Sequence, residues 1–198
     1  MRKIFTLAVL LTWGIAACAQ GPLKVRGTVT AIDGHLLTVQ THDGSNLRLA
    51  IDDKTQFSLL SRLTLHEVKR GNFVGITAVS TDSRGRLQAR EVHVFPESQR
   101  GAGEGHYPWD LEPGATMTNG NIDISVTGND GKALTVSYKG GRQKINVPTD
   151  AIIVSTQPAD ASAIQVNSQI FAVVGEAKEC VHPALYIAAG KDGLKPPM

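Results

Sequence analysis

The feature that most constrains the fold of this chain is an internal repeat. The stretches VTAIDGHLLTVQTHDGSNLRLAIDDKTQF (29–57) and VTGNDGKALTVSYKGGRQKINVPTDAII (126–153) share a valine, an Asp-Gly turn, Leu-Thr-Val, a second glycine turn and an alternating strand. Gly34 aligns with Gly131 and Leu37 with Leu134, a spacing of about 97 residues in both cases. Self-similarity at a fixed spacing indicates that one structural unit is present twice.

Within each copy, turn signals separate short alternating strands. Apolar residues recur at every second position in 37–40 and 47–51, as they do when one face of a strand meets a core. Only the segment from Leu59 to Lys69 has helical spacing, and it predicts one short helix. Glycine pairs that tolerate the positive φ of tight hairpins occur at Asp33-Gly34, Asp43-Gly44, Asp130-Gly131 and Gly140-Gly141.

These patterns predict an all-β protein with two tandem small OB-like β-barrels after an N-terminal signal peptide. Five strands with a helical or irregular link after the third resemble an OB-fold, and closing the sheet removes exposed strand edges. The expected boundaries are 22–96 for the first OB-like barrel, 97–116 for an ordered connecting segment, 117–192 for the second OB-like barrel and 193–198 for a C-terminal tail.

The N-terminus predicts export. Two basic residues precede an uncharged apolar run over residues 4–17, which is the order of an export signal. Two cleavage interpretations stay open: a signal peptide of residues 1–19, or one of residues 1–17 that leaves Cys18 as a lipidated first residue. No later apolar run approaches the roughly 20 residues that cross a bilayer. We therefore expect a periplasmic protein, soluble or attached to the membrane only by a lipid on Cys18.

The charge balance argues against nucleic acid as a partner. The chain has 20 Lys and Arg against 18 Asp and Glu, and the excess of +2 matches the two basic residues of the signal, Arg2 and Lys3. The exported part is therefore formally neutral. Capture of nucleic acid normally needs a concentrated basic face, so we expect no such partner.

Cysteine usage excludes a disulfide framework. Cys18 is either removed or lipidated, which leaves Cys180 without an intramolecular partner. We expect Cys180 to be a small buried apolar side chain. The alternative pairs it with His182 as a Cys-x-His metal or redox site, because residues two apart in a strand share a face.

The segment EVHVFPESQRGAGEGHYPWDLEPG (91–114) supports two hypotheses. Its density of glycine and proline predicts an irregular connection, while Tyr107 and Trp109 predict that the connection is ordered, with Trp109 as its structural anchor in the groove between the barrels. The alternative is a site for a divalent transition metal, since imidazoles and carboxylates suit such ions. Its ligands would be His93, Glu97, Glu104, His106 and Asp110.

We favour the ordered connection, with no cofactor. The spacing of these five residues matches no standard metal module, because the chain lacks both a C-x-x-C pair and an H-E-x-x-H helix. Catalytic motifs are equally absent from the sequence: it has no G-x-S-x-G elbow, no S-x-x-K and no complete phosphate-binding loop. We therefore predict a protein that is not an enzyme.

Several motifs resemble an exported proteobacterial family that contains a domain of unknown function. They are the repeats GTVTAIDG and DGKALTVSYKGG, the block MTNGN, the closing GKDGLKPPM and, most distinctively, G-E-G-H-x-P-W-D at 103–110. The resemblance spans essentially the whole exported chain and implies an OB-like fold. Members often carry the automatic label "metal ABC transporter permease", but a permease crosses the membrane with helices that this sequence does not predict after its signal. The family brings no established site residues.

Together these arguments predict a non-enzymatic binding or assembly module of the cell envelope. Its partner would be an envelope protein or a small ligand. The alternative is a periplasmic metal-binding protein that uses the five residues from His93 to Asp110.

Overall fold

The structure is a computed structural model that describes residues 23–83, 85–128 and 131–197. This part of the chain is all-β, with short 3-10 helices at Leu65–Glu67, Glu97–Gln99, Ala161–Ala163 and Lys191–Gly193. The predicted signal peptide and Cys18 lie outside the described residues. Within the described residues, no helix is both long enough and apolar enough to span a bilayer.

The described residues form thirteen strands, numbered here in chain order. They are β1 (Leu23–Asp33), β2 (Leu36–Thr41), β3 (Asn46–Ala50), β4 (Gln56–Arg62), β5 (Phe73–Ser80), β6 (Leu87–Val94), β7 (Gly105–Pro108), β8 (Thr116–Gly128), β9 (Gly131–Tyr138), β10 (Gly141–Pro148), β11 (Ile152–Ala159), β12 (Gln169–Val174) and β13 (Val181–Gly190).

Five of these strands close into a barrel, which we call the first ring. β1, β2 and β3 pair antiparallel in succession, β3 pairs parallel with β13, β13 pairs antiparallel with β12, and β12 returns to β1. The alternation predicted for β2 places Leu37 and Val39 inside this ring, where each is at most 1% exposed. Its core contains Val25, Val29, Leu37, Val39, Leu49, Ile170, Ala172, Val174 and Ile187, among others.

The same circuit of pairings occurs a second time, in what we call the second ring. β8, β9 and β10 pair antiparallel in succession, β10 pairs parallel with β6, β6 pairs antiparallel with β5, and β5 returns to β8. Leu134 and Val136 of β9 occupy its interior, as Leu37 and Val39 do in the first ring. The remaining core side chains include Val74, Ile76, Val92, Ile122, Ile145 and Val147.

The two rings exchange strands, which differs from the boundaries expected from the sequence. The first ring takes β12 and β13 from the second half of the chain, and the second ring takes β5 and β6 from the first half. Neither 22–96 nor 117–192 therefore contains a complete ring. The physical reason lies in β4 and β11, which follow the third strand of each circuit, pair antiparallel with each other and lead the chain across to the other ring.

The predicted short helix over Leu59–Lys69 is wrong for most of its length. Gln56–Arg62 forms β4, which pairs with β11 on one side and with β13 on the other, and only Leu65–Glu67 is helical. Hydrogen bonds from two neighbouring strands and burial of Leu60 outweigh the helical spacing of the apolar residues. The spacing of apolar residues is a weak guide to secondary structure where a segment pairs with a neighbouring strand on each side.

A third apolar cluster lies outside the cores of the two rings. It contains Leu60, Val154, Phe171, Ala188 and Leu194, which come from both halves of the chain. These side chains belong to the central strands β4 and β11, to the first-ring strands β12 and β13, and to the C-terminal residues that follow. Strands β12 and β13 are therefore buried on both faces, because they also contribute Ile170 and Ile187 to the core of the first ring.

Because the strands are exchanged, we expect the two halves to stay together after the connection between them is cut. A specific protease site inserted after the exposed Gly101 tests this expectation in the full chain. After cleavage, the two fragments should elute as one species from a sizing column in native buffer and separate only in denaturant, since each half completes the other's ring. Two independently folded barrels would instead separate in native buffer, and that result would contradict the exchange.

Candidate functional site

The five predicted metal ligands do not converge on one point. His93 is buried on β6, Glu97 forms an ion pair with Arg100 at 2.5 Å, and Glu104 accepts a hydrogen bond of 3.0 Å from the backbone N–H of Lys139. Among the described residues, no group of three or more His, Cys, Asp or Glu side chains is arranged to hold a metal ion.

The last two of the five also have their own partners. Nδ1 of His106 lies 2.8 Å from the hydroxyl of Thr118. The carboxylate of Asp110 forms ion pairs with Arg26 at 2.9 Å and Lys24 at 3.4 Å. Burial alone would raise the pKa of Asp110, but the hydrogen bond and charge of Arg26, together with Lys24, hold that pKa below its ordinary value.

The connecting segment is tied to the second ring by β7, which pairs with β8. Beyond β7, the ring of Trp109 packs on the third cluster, and Lys24 lies over it with Nζ 3.6 Å from the ring centroid. Tyr107 meets Trp109 edge to face at 6.2 Å. Trp109 is half-buried, and its role as a structural anchor stays a prediction.

The strongest electrostatic perturbation lies next to this segment, at Glu91 and His93 of β6. Both side chains point away from the core of the second ring, yet they are only 1% and 2% exposed. The ring of Phe95 lies 5.7 Å from that of His93. Nδ1 of His93 lies 3.6 Å from Oε1 of Glu91. Burial raises the pKa of Glu91 to about 8, against smaller opposing effects of the Arg26 charge and the Thr77 hydroxyl. Burial lowers the pKa of His93 to about 3.

Seven polar side-chain atoms of the described residues, including those of Glu91 and His93, are buried without a hydrogen-bond partner. Leaving such an atom unpaired costs about 1–3 kcal/mol. The atoms are Ser58 Oγ, both carboxyl oxygens of Glu91, His93 Nε2, Trp109 Nε1, Asn119 Oδ1 and Thr156 Oγ1. Sequence reasoning singled out His93 but missed Glu91, because the alternation along β6 gives no sign that both faces are covered.

The outward face of β8 and β9 in the second ring carries two exposed apolar side chains. A register shift between Ile122 and Ile124 turns the following part of β8, so that Ile124 and Val126 face outward beside Thr135 and Ala133 of β9. Ile124 is 53% exposed and Val126 is 58% exposed. Strands β8, β9 and β10 thus present an outer surface, which we call the binding face.

A groove of about 550 Å³ runs along the binding face. Its described lining contains no Asp or Glu. Arg86 forms an ion pair with Asp82 at 2.5 Å, while Lys144 is exposed and has Arg142 two residues before it on β10. The groove is consequently cationic. Its lining is Gly85, Arg86, Leu87, Ala133, Gln143, Lys144 and Asn146.

Cys180 is not the buried side chain that the sequence predicts. It is an exposed free cysteine in the tight turn that begins β13, with φ of 64°. His182 has its own contact, with Nδ1 at 3.0 Å from the carbonyl oxygen of Gly175. The turn residues Lys178 and Val181 bond to each other, so the chain reverses here instead of continuing a buried strand.

The features available for function are therefore the buried Glu91–His93 pair on β6 and an exposed, cationic, partly apolar face on the second ring. Sequence reasoning identified the connecting segment but not the binding face. The comparisons with known proteins add no relative to this picture: no family model, no curated protein and no solved structure matches the chain.

Proposed function

We propose that this chain is a non-enzymatic binding module of the cell envelope that receives its partner on the binding face. The single observation that carries the proposal is the joint exposure of Ile124 and Val126 beside a groove lined by Arg86 and Lys144. Contiguous exposed apolar side chains rimmed by polar groups are typical of interaction surfaces. The partner is an envelope protein or a small ligand, and nucleic acid is not expected.

The strand order supports OB-like barrels as the scaffold. In the first ring, the circuit runs from the first to the second and third strand in chain order, then to the fifth and fourth, which is the order of an OB-like barrel. In the second ring, β8, β9 and β10 correspond to β1, β2 and β3, while β5 and β6 of the first half take the fourth and fifth positions. Such barrels bind ligands on the face of their second and third strands and beside the loop between the fourth and fifth. In the second ring these strands are β9 and β10, and this loop supplies Gly85 and Arg86 to the groove.

The location of the perturbed titratable groups supports binding over catalysis. General acids and bases act within hydrogen-bond reach of a substrate. Glu91 and His93, whose pKa values are shifted furthest, are at most 2% exposed. They are thus placed to influence the stability of the fold, and a substrate has no access to them.

Placement in the periplasm follows from the export pattern of residues 1–19 and from the resemblance to an exported family. With residues 1–17 as the signal, Cys18 would anchor the module to the membrane by a lipid. Either cleavage leaves the binding face on the exported side of the membrane.

A site-specific photocrosslinker tests the binding face in living cells. Placed at Thr135, which lies opposite Lys144 in the β9–β10 pair, it should yield a discrete adduct with an envelope component. Thr38 is the matched control, because it lies opposite Arg48 at the equivalent position of the first ring. Absence of an adduct at Thr135, or an equal adduct at Thr38, would contradict the proposal.

A further inference from the structure

Resting on the proposed function, we infer that the occupant of the groove is an extended acidic peptide segment of a partner protein, with carboxylates two residues apart. Arg142 and Lys144 are exposed and separated by one residue on β10. Alternate residues of a strand share a face and are about 6.6–6.8 Å apart. An extended peptide lying along β10 has the same repeat, so its residues i and i+2 meet both cations.

Charge complementarity selects an anionic occupant. Asp82 offsets Arg86 at the edge of the groove, while the groove's described lining supplies no carboxylate to Lys144. Ion pairs formed here would be exposed, individually weak and sensitive to salt. Affinity must therefore come from two or more pairs formed together, which favours a segment with repeated carboxylates.

The remaining lining fits a polypeptide. The side-chain amide of Asn146, which shares a strand face with Lys144, can donate to and accept from a peptide backbone. The small side chains of Ala133 and Thr135 leave room for an extended chain, and Ile124 and Val126 offer an apolar border for its uncharged residues. Sugars and nucleotide bases are usually held by stacking on aromatic rings, and none of the described residues that line the groove is aromatic.

The first ring lacks the pair of cations that the second ring presents on its third strand. Arg48 occupies the position of Lys144, since each lies opposite the threonine of a Leu-Thr-Val motif. The position of Arg142, opposite Ser137, is taken by Asn46, opposite Gln40. The first ring therefore presents one cation where the second ring presents two, and it provides an internal control for the inference.

Fluorescence anisotropy with two labelled ten-residue peptides tests the inference on the exported protein. One peptide alternates glutamate with threonine and valine, and the other has the same composition with its glutamates contiguous. We expect the alternating peptide to bind more tightly at low salt. The double substitution Arg142→Gln/Lys144→Gln should weaken that binding about tenfold, and Arg48→Gln should leave it unchanged. All three side chains are exposed, and a thermal melt verifies that the variants fold.

The outcomes separate this inference from the proposed function. Equal binding of both peptides, or an equal loss with Arg48→Gln, would overturn the i, i+2 match. If neither acidic peptide binds while the crosslinker at Thr135 still gives an adduct, the acidic occupant is wrong and the binding face stands. If both experiments fail, the binding face itself is wrong.

Discussion

Replacement of Glu91 by glutamine is expected to raise the free energy of unfolding by about 5 kcal/mol at pH 9 and to leave it nearly unchanged at pH 4. The carboxyl is 1% exposed, and burial raises its pKa from 4.5 to about 8. Between pH 4.5 and about pH 8, Glu91 keeps its proton in the folded state, whereas the same carboxyl releases it in the unfolded chain. The contribution of Glu91 to the free energy of unfolding is therefore complete below pH 4.5 and is lost as pH rises to about 8, at about 1.4 kcal/mol per pH unit. Glutamine resembles the protonated form and removes this loss.

Chemical denaturation of wild type and Glu91→Gln between pH 4 and pH 9 measures the effect. His93 supplies an opposite control, because its folded pKa of about 3 lies below its ordinary value of 6.5. The unfolded chain binds that proton first, so His93 costs stability as pH falls from about 6.5 to 3. His93→Gln should flatten the acid side of the profile and leave the alkaline side intact. A parallel shift of the Glu91→Gln curve at every pH would contradict the assignment.

The second large effect is expected at two glycines, Gly27 and Gly120. Each lies two residues before the register shift in the first strand of its ring, at Val29/Ala31 and Ile122/Ile124. A Cβ on Gly27 would lie 2.2 Å from the carbonyl oxygen of Gln40, and a Cβ on Gly120 would lie 2.2 Å from that of Ser137. The neighbouring atom is backbone in both cases, so the strand pair itself would have to separate.

We expect Gly27→Ala and Gly120→Ala each to lower the free energy of unfolding by about 3 kcal/mol, the upper end of ordinary overpacking. Gly128→Ala is the matched control in the same strand as Gly120, because the nearest atom to its added Cβ is 3.8 Å away. Urea unfolding of the three variants provides the measurement. A loss at Gly128 as large as that at Gly120 would show that strand propensity, not close approach, causes the effect.

The five predicted metal ligands show that closeness in sequence does not by itself predict a site. His93, Glu97, Glu104, His106 and Asp110 are close in sequence and chemically suited to metals, but their partners lie on different elements, so they separate in space. A list of suitable residue types does not indicate the direction in which each side chain points. The side chains that do converge, such as Glu91 with His93, belong to a strand buried on both faces.

The exchanged strands were equally hidden from the sequence. Alternation of apolar residues specifies which face of a strand is buried, and both copies of the repeat show it. Alternation does not specify which strand pairs with which. For example, β6 buries the same face beside β10 as it would beside β3. The choice depends on the direction in which β4 and β11 leave their rings and pair with each other.

The sequence by itself determined the all-β class and the alternating core positions such as Leu37, Val39, Leu134 and Val136. Period-two patterning and glycine turns are local properties, so a single sequence carries them fully. Tertiary structure alone decided the exchange of strands, the burial of Glu91 and the exposure of Ile124 and Val126. Each of these depends on which distant surface covers a strand, and that is set by the free energy of the whole packed assembly.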